Sequence, residues 1–434
     1  MNGDARPDLV VTCSYANAIN VLLSQPGGTF APAQSYAIGS FPIRVTVADV
    51  NEDGLPDILA ALQWNAGIGV MLNSRTAPGT FLPPTLLYTQ GYPRSLAVGD
   101  VNRDGHLDIV GLNLSGGTVG VLLNSAVAPG TFPATATTYA TGGNNAVGVA
   151  LGDVNGDGWL DLVVCGGGIG QVGVLLNRAA SAGAFAPVVH YGSGGTYPQD
   201  LAVGDLNADG RPDIVVAGGN NAQVGILLNS ATAPGVFPAM ATTYSTGSQT
   251  AYSVELGDMN GDRQVDIVTG SYVADSISST VGVLLNSAAT PGSFSAGFTH
   301  FASGGLSAHD VSLNDVDGDG GLDIATVNYV SSTVAVLRNT GTILPTLSSR
   351  RPVELVLFPN PARFTVTVRL DETAPHQGLQ LVLIDATGRR TKPLPVISTH
   401  GKRMVELGQQ PAGLYLVRVE GPKGYVATKR LAIE

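Results

Sequence analysis

Six short segments gather oxygen-bearing side chains at one fixed spacing, D-x-N-x-D-G-x-x-D. They supply Asp49, Asn51, Asp53, Leu55 and Asp57; Asp100, Asn102, Asp104, His106 and Asp108; and Asp153, Asn155, Asp157, Trp159 and Asp161. Further along come Asp205, Asn207, Asp209, Arg211 and Asp213; Asp258, Asn260, Asp262, Gln264 and Asp266; and Asp315, Asp317, Asp319, Gly321 and Asp323. Ca²⁺ takes side-chain oxygens from positions 1, 3 and 5 of such a loop, a backbone carbonyl from position 7, and a bidentate carboxylate to close the shell. Here the closing Asp stands at position 9. Three carboxylates in nine residues repel one another unless a cation neutralises them. Position 7 varies freely, as expected if only its carbonyl is used. Position 6 is Gly54, Gly105, Gly158, Gly210 and Gly320, suiting a turn of positive φ, whereas Arg263 takes that place in one loop and marks its site as the weakest. Position 8 is always apolar and anchors the loop into the next strand. Asn, Asp and Gly also build plain turns, but six loops in register favour calcium. The loop is not an EF-hand, since position 12 is Ala60 and Gly111 in the first two complete copies, where Glu is required.

The elements that hold these loops follow from the repeat. A second phrase, such as GVLLNSAVAPGTF, keeps step with the first, and degenerate copies at both ends make seven. Each period reads as four short strands; in the third copy these are about 95–99, 107–112, 118–124 and 133–140. Runs such as Asp213-Ile214-Val215-Val216-Ala217 are apolar without alternation, so both faces should be buried. The expectation is an all-β chain: a seven-bladed β-propeller over residues 1–342, its first and last blades incomplete. A membrane β-barrel would need strict alternation over about 10 residues, which these strands lack.

Composition agrees. Gly 57 and Pro 26 argue against long helices, and 44% apolar residues argue against disorder. No apolar run is long enough for a transmembrane helix. Residues 1–343 carry 9 Arg, no Lys and 26 acids, a poor surface for nucleic acid. Cys13 and Cys165 read as free buried thiols in separate repeats. Met1 aligns with Met259 of a later copy, and the chain opens without a signal peptide. The expectation is therefore that Met1 is internal, with a signal peptide and the inner strand of blade one upstream, and that the first and last blades leave an open seam.

These motifs resemble the FG-GAP/VCBS repeats of integrin-α-like seven-bladed propellers. The resemblance implies calcium-stabilised propellers of secreted or cell-surface proteins, often in adhesion or glycan binding, and names no ligand.

Composition changes after Gly341. A linker (343–352) precedes a segment, 353–434, that holds all four lysines of the chain and reads as a small β-sandwich with strands near 364–370, 379–384 and 414–419. Its phrases LVLFPNPARFTVTV (Pro359, Asn360, Pro361), LVLIDATGRR (Asp385, Gly388, Arg389) and PAGLYLVRV (Gly413, Tyr415, Val417), with Lys429 and Arg430 near the end, resemble the type A sorting domain of the type IX secretion system of gram-negative bacteria. That implies contact with the outer-membrane secretion machinery and a place outside the cell or on its surface.

His190 and His300 occupy one repeat position and read as packing; no catalytic phrase stands out. A carboxylate held on calcium cannot serve as a general acid. The function expected is a non-enzymatic, calcium-binding surface propeller for a glycan or protein ligand. The rival is a secreted polysaccharide lyase or hydrolase on the same scaffold. Trp64 and Trp159, the only tryptophans, offer slight support for a sugar-stacking site.

Overall fold

The computed structural model describes residues 1–340, apart from 66, 144, 167–169, 179–182, 220, 248–249, 273–278 and 295–296. Beyond 340 it describes chiefly the strands. Two compact units divide the chain, Met1–Leu344 and Pro345–Glu434.

The first unit is a seven-bladed propeller. Blade two shows the pattern: Pro42–Ala48 innermost, then Asp57–Leu62, Gly67–Met71 and Thr85–Tyr88, each antiparallel to the last. In blade three the strands are Pro93–Gly99, Asp108–Asn113, Thr118–Leu122 and Thr137–Ala140, so the outermost starts later than expected, beyond the turn at Gly130. The middle strands are buried along their length, as their unbroken apolar runs require. Their side chains fill layers between neighbouring blades: Val163 and Val172 of blade four meet Ile214 and Val216 of blade five. Each such residue contributes about 1.5–3 kcal/mol on burial. Blades approach closely enough that a Cβ on Gly225 would lie 2.0 Å from the Ser193 carbonyl oxygen, which accounts for glycine there.

The innermost strands of blades two, three, four, six and seven share a β-bulge, between Pro42 and Arg44, Pro93 and Ser95, Ala146 and Gly148, Ala251 and Ser253, and Ala308 and Asp310. A bulge re-aims side chains, and these alter what lines the central channel. Arg44 of blade two reaches across to Asp200 of blade five and Asp310 of blade seven, the latter at 3.1 Å. Burial pushes the Asp200 carboxyl up and Arg44 pulls it back. Glu255 opens onto the channel, yet the enclosing walls, then Asp200 and Asp310, push its carboxyl up to about 7. Its folded value thus lies above the ordinary 4.5, so its contribution is full below pH 4.5 and is lost as pH rises to about 7. Glu255→Gln should flatten the melting-temperature profile across that window. An unchanged profile would show that Glu255 is solvated as on an open surface.

Blade one has three ladder strands, Leu9–Cys13, Ala18–Leu22 and Gln34–Ala37, and blade seven has Ala308–Asn314, Asp323–Asn328 and Thr333–Leu337. Among the described residues blade one therefore shows no innermost strand and blade seven no outermost one, as expected. The expected open seam is corrected: side chains bridge it. Tyr15 and Tyr329 share a hydroxyl hydrogen bond of 2.9 Å, and Arg338 donates to the carbonyls of Gly27 and Gly28 at 2.8 and 2.7 Å.

The second unit contains two four-stranded antiparallel sheets. One holds Val356–Phe358, Thr365–Arg369, Lys402–Glu406 and Ile397–Thr399; the other Leu394–Pro395, Gln380–Ile384, Gly413–Glu420 and Val426–Ile433. Tyr415 and Val417 are buried in the second sheet. The linker, the Pro359-Asn360-Pro361 phrase and Asp385, Gly388 and Arg389 lie outside the described residues.

Candidate metal centre

Every predicted loop connects the innermost strand of its blade to the second, so all six stand on one face of the propeller. Each brings its own residues together; the loops form separate sites. In blade two, Asp49 accepts backbone N–H bonds from Asp53 (3.0 Å) and Gly54 (2.8 Å), Asn51 from Asp53 (3.1 Å), and Asp53 from Leu55 (2.9 Å). The same bonds recur at Asp100, Asn102 and Asp104, at Asp153, Asn155 and Asp157, and at Asp205, Asn207 and Asp209. They recur again at Asp258, Asn260 and Asp262, and at Asp315 and Asp319. The side-chain oxygens are thereby turned inward.

Position 6 takes positive φ in all six loops, from 69° at Arg263 to 91° at Gly105 and Gly320. Arg263 therefore carries the strain expected of a non-glycine there. Position 4 is also left-handed, at Glu52, Arg103, Gly156, Ala208, Gly261 and Gly318.

The closing Asp57, Asp108, Asp161, Asp213, Asp266 and Asp323 are fully buried. Asp57 accepts from Val50 N (3.1 Å) and Asn73 N (2.7 Å). Despite these bonds, burial and then the neighbouring acids push the carboxyls of Asp57, Asp108, Asp161, Asp213 and Asp266 up to about 6. A cation would relieve that cost. In the loop of blade seven Asp315, Asp317 and Asp323 offer oxygens within 4.8 Å of one another, a spacing that matches Ca²⁺–oxygen distances of about 2.3–2.6 Å on either side of one ion. The donors are all hard oxygens, so the residues present fit calcium.

Side chains at position 7, expected to be idle, join neighbouring loops. His106 bonds Glu52 of the loop before it, which raises the imidazole above its ordinary value, and Trp159 lies under Arg103, 5.4 Å from ring centroid to guanidinium. Trp159 thus belongs to this face and is covered by a cation. Arg211 pairs within its own loop, with Asp209.

One residue escaped the sequence reading: the Asn of the second phrase. Asn73, Asn124, Asn177, Asn229, Asn286 and Asn339 each donate Nδ2–H to a carbonyl at position 2 of the preceding blade's loop, at 2.7–2.9 Å. Each backbone N–H also binds the closing Asp of its own blade. Its constant place in every copy was the available signal. Asn229→Ala would strand the carbonyls of Val154 and Pro212 and the N–H of Gly235. The expected loss is about 3 kcal/mol or more, read by denaturant unfolding; a loss under about 1 kcal/mol would show that water replaces the side chain.

Cys13 and Cys165 are free thiols, Cys165 buried and Cys13 half-buried. His190 and His300 sit opposite Gly173 and Gly282 in the outermost strands of their blades, at matching registers.

Residues 1–60, 49–111, 110–164, 153–216 and 205–269 each match the FG-GAP-like repeat, and residues 356–434 match the secretion system C-terminal sorting domain. No curated protein matches the chain significantly. Among solved structures, a candidate 6-phosphogluconolactonase from Bacteroides fragilis aligns with a TM-score of 0.55 at 12% identity, over 78% of this chain and 96% of that one. Another from Bacteroides uniformis gives 0.49 at 12% identity, over 76% and 94%. The first is a likeness of fold alone, and the second supports no argument. Among the described residues, no helix is long and apolar enough to cross a membrane.

Proposed function

Because this chain belongs to the FG-GAP-like repeat family and ends in a secretion system C-terminal sorting domain, which makes it an exported protein of the cell surface or extracellular space, we propose that its propeller is a calcium-stabilised binding module without catalytic activity. The sorting domain engages the secretion machinery; the propeller is what it delivers. Calcium supplies, when bound, the positive charge that the clustered loop carboxylates lack. Asp49, Asn51, Asp53, the Leu55 carbonyl and Asp57 would hold it in blade two, and the corresponding residues in blades three to seven.

The observation that carries this reading is how the acids are used. Loop carboxylates are tied to their own backbone N–H groups and, through the asparagine clamp, to the preceding blade. They are placed to stiffen the joints between blades. The channel acids Asp200 and Asp310 are likewise held by Arg44.

The test is a screen of the whole chain, with calcium, against surface and matrix polysaccharides, scoring binding and chain cleavage together. Binding without turnover is the expected result. Turnover of any polymer, abolished by a point substitution on the propeller, would sink the non-catalytic reading.

A further inference from the structure

Opposite the metal loops, the propeller carries a continuous row of aromatic rings that crosses the seam. Trp64 stacks on Phe41 with centroids 4.3 Å apart and planes at 13°. Phe41 meets Tyr15 edge-on at 5.5 Å, and Tyr15 lies 6.5 Å from Tyr329. Tyr329 stacks on His309 at 4.8 Å, and His309 on Tyr252 at 4.5 Å.

Topology puts all six on one face. Tyr15, Trp64 and Tyr329 lie in turns between the second and third strands of blades one, two and seven. Phe41, Tyr252 and His309 lie at the start of innermost strands, where the bulges of blades six and seven occur. The row is held in place from beneath: the Phe41 N–H binds Asn17 Oδ1 at 2.9 Å and fixes Phe41 at φ 58°, a conformation bulky residues rarely take. Its outer members are open to solvent, with Tyr15 78%, Trp64 65% and Tyr329 47% exposed.

We propose that this row is a binding track for a neutral polysaccharide: the exposed rings Trp64, Tyr15 and Tyr329 offer their free faces and edges to successive sugars, while Phe41 and His309, each stacked on a neighbour, brace them. The proposal rests on the binding-module reading and names its ligand class. Three observations select that class. Five of the six rings carry a polar atom at their edge, which suits a sugar's mixture of C–H face and hydroxyl rim better than an aliphatic protein core. The channel mouth beside the row offers carboxylates and arginines, Asp310, Glu255, Arg44 and Arg94, as fixed hydrogen-bonding groups of both signs. Beside the row the acids Asp200, Glu255 and Asp310 outnumber Arg44 and Arg94, and residues 1–343 hold no Lys, which disfavours uronate or sulfated polymers there.

The test is affinity electrophoresis and calorimetry of the full chain, in calcium, against β-glucan, mannan, xylan and galactan, with alginate as the anionic comparison. At least one neutral polymer should bind, alginate should not, and tryptophan fluorescence should change on binding. Trp64→Ala should weaken binding by at least about tenfold, the scale of losing an aromatic anchor, with an unchanged melting temperature; Trp64→Phe should retain most of it, and Tyr15→Phe, which keeps the ring and loses the seam hydrogen bond to Tyr329, should bind nearly as wild type. Equal binding by wild type and Trp64→Ala, binding to alginate alone, or capture of a protein through these same rings would each overturn the proposal. So would binding to none of the neutral polymers, an outcome that leaves the binding-module reading standing for another ligand. A neutral polymer bound on these rings and then cleaved would do the reverse, keeping the track and removing the non-catalytic reading.

Discussion

Chelation of calcium at low ionic strength is expected to lower the melting temperature of the propeller by on the order of 10 °C. Extracellular loops of this kind bind with Kd of about 10⁻⁴ to 10⁻³ M. At about 1 mM free Ca²⁺ and the tighter limit, each site contributes about 1.4 kcal/mol. The five loops with glycine at position 6 then contribute about 7 kcal/mol, comparable with the whole stability of a typical domain; a large domain shifts about 2 °C or more for each kcal/mol. The loops are unequal. Asp153→Ala should cost more of the calcium-dependent stability than Asp258→Ala, because Arg263 already occupies a left-handed position at φ 69° in the Asp258 loop. Scanning calorimetry with and without chelator decides the matter. An unchanged melting temperature would mean that the loops are ordinary turns satisfied by their own N–H groups.

The second large effect concerns the channel. Arg44→Ala is expected to destabilise the propeller by about 3–5 kcal/mol, the cost of leaving a buried charge without its partner. The Asp200 side chain is 7% exposed and pairs with Arg44, which also holds Asp310 and faces Glu255. Without that guanidinium three acids crowd one narrow space. Adding Asp200→Asn to Arg44→Ala should recover most of the loss, because the stranded charge is then gone. If the single substitution costs under about 1 kcal/mol, the pair behaves as a solvated surface bridge.

Much of this was legible in the residues themselves. The unbroken apolar runs, such as Asp213 to Ala217, foretold strands buried on both faces, and the structure buries every residue of that strand. Glycine at position 6 foretold positive φ, because that conformation is costly with a Cβ. Position 4 is also left-handed, but Glu52, Arg103 and Ala208 hold φ 55–59°, inside the region that a side chain tolerates, against 82–91° at the position 6 glycines; where the backbone tolerates a side chain, composition leaves no trace. The asparagine clamp was visible as a recurring letter, but its partner is a main-chain carbonyl, which no letter records. Tyr15 and Tyr329 are 314 residues apart and outside the periodic phrases, so only closure of the ring brings them together. The seam was misjudged for the same reason: Arg338 reaches two backbone carbonyls, of Gly27 and Gly28.

A latch of that kind changes how the ring comes apart. Every blade is a sheet of its own; blades one and seven meet through the Tyr15–Tyr329 and Arg338 hydrogen bonds, whereas interior blades are locked by apolar layers and asparagine clamps. A true circle has no end from which to fray; a row of modules bent until its ends touch has two. Local opening should begin where Tyr15 leaves Tyr329 and spread inward a blade at a time, as in linear repeat arrays. Amide exchange would then run fastest in blades one and seven and slowest in blade four. Any ligand spanning Tyr15 and Tyr329 would act as a strap across the break, slowing exchange in blades one and seven at once.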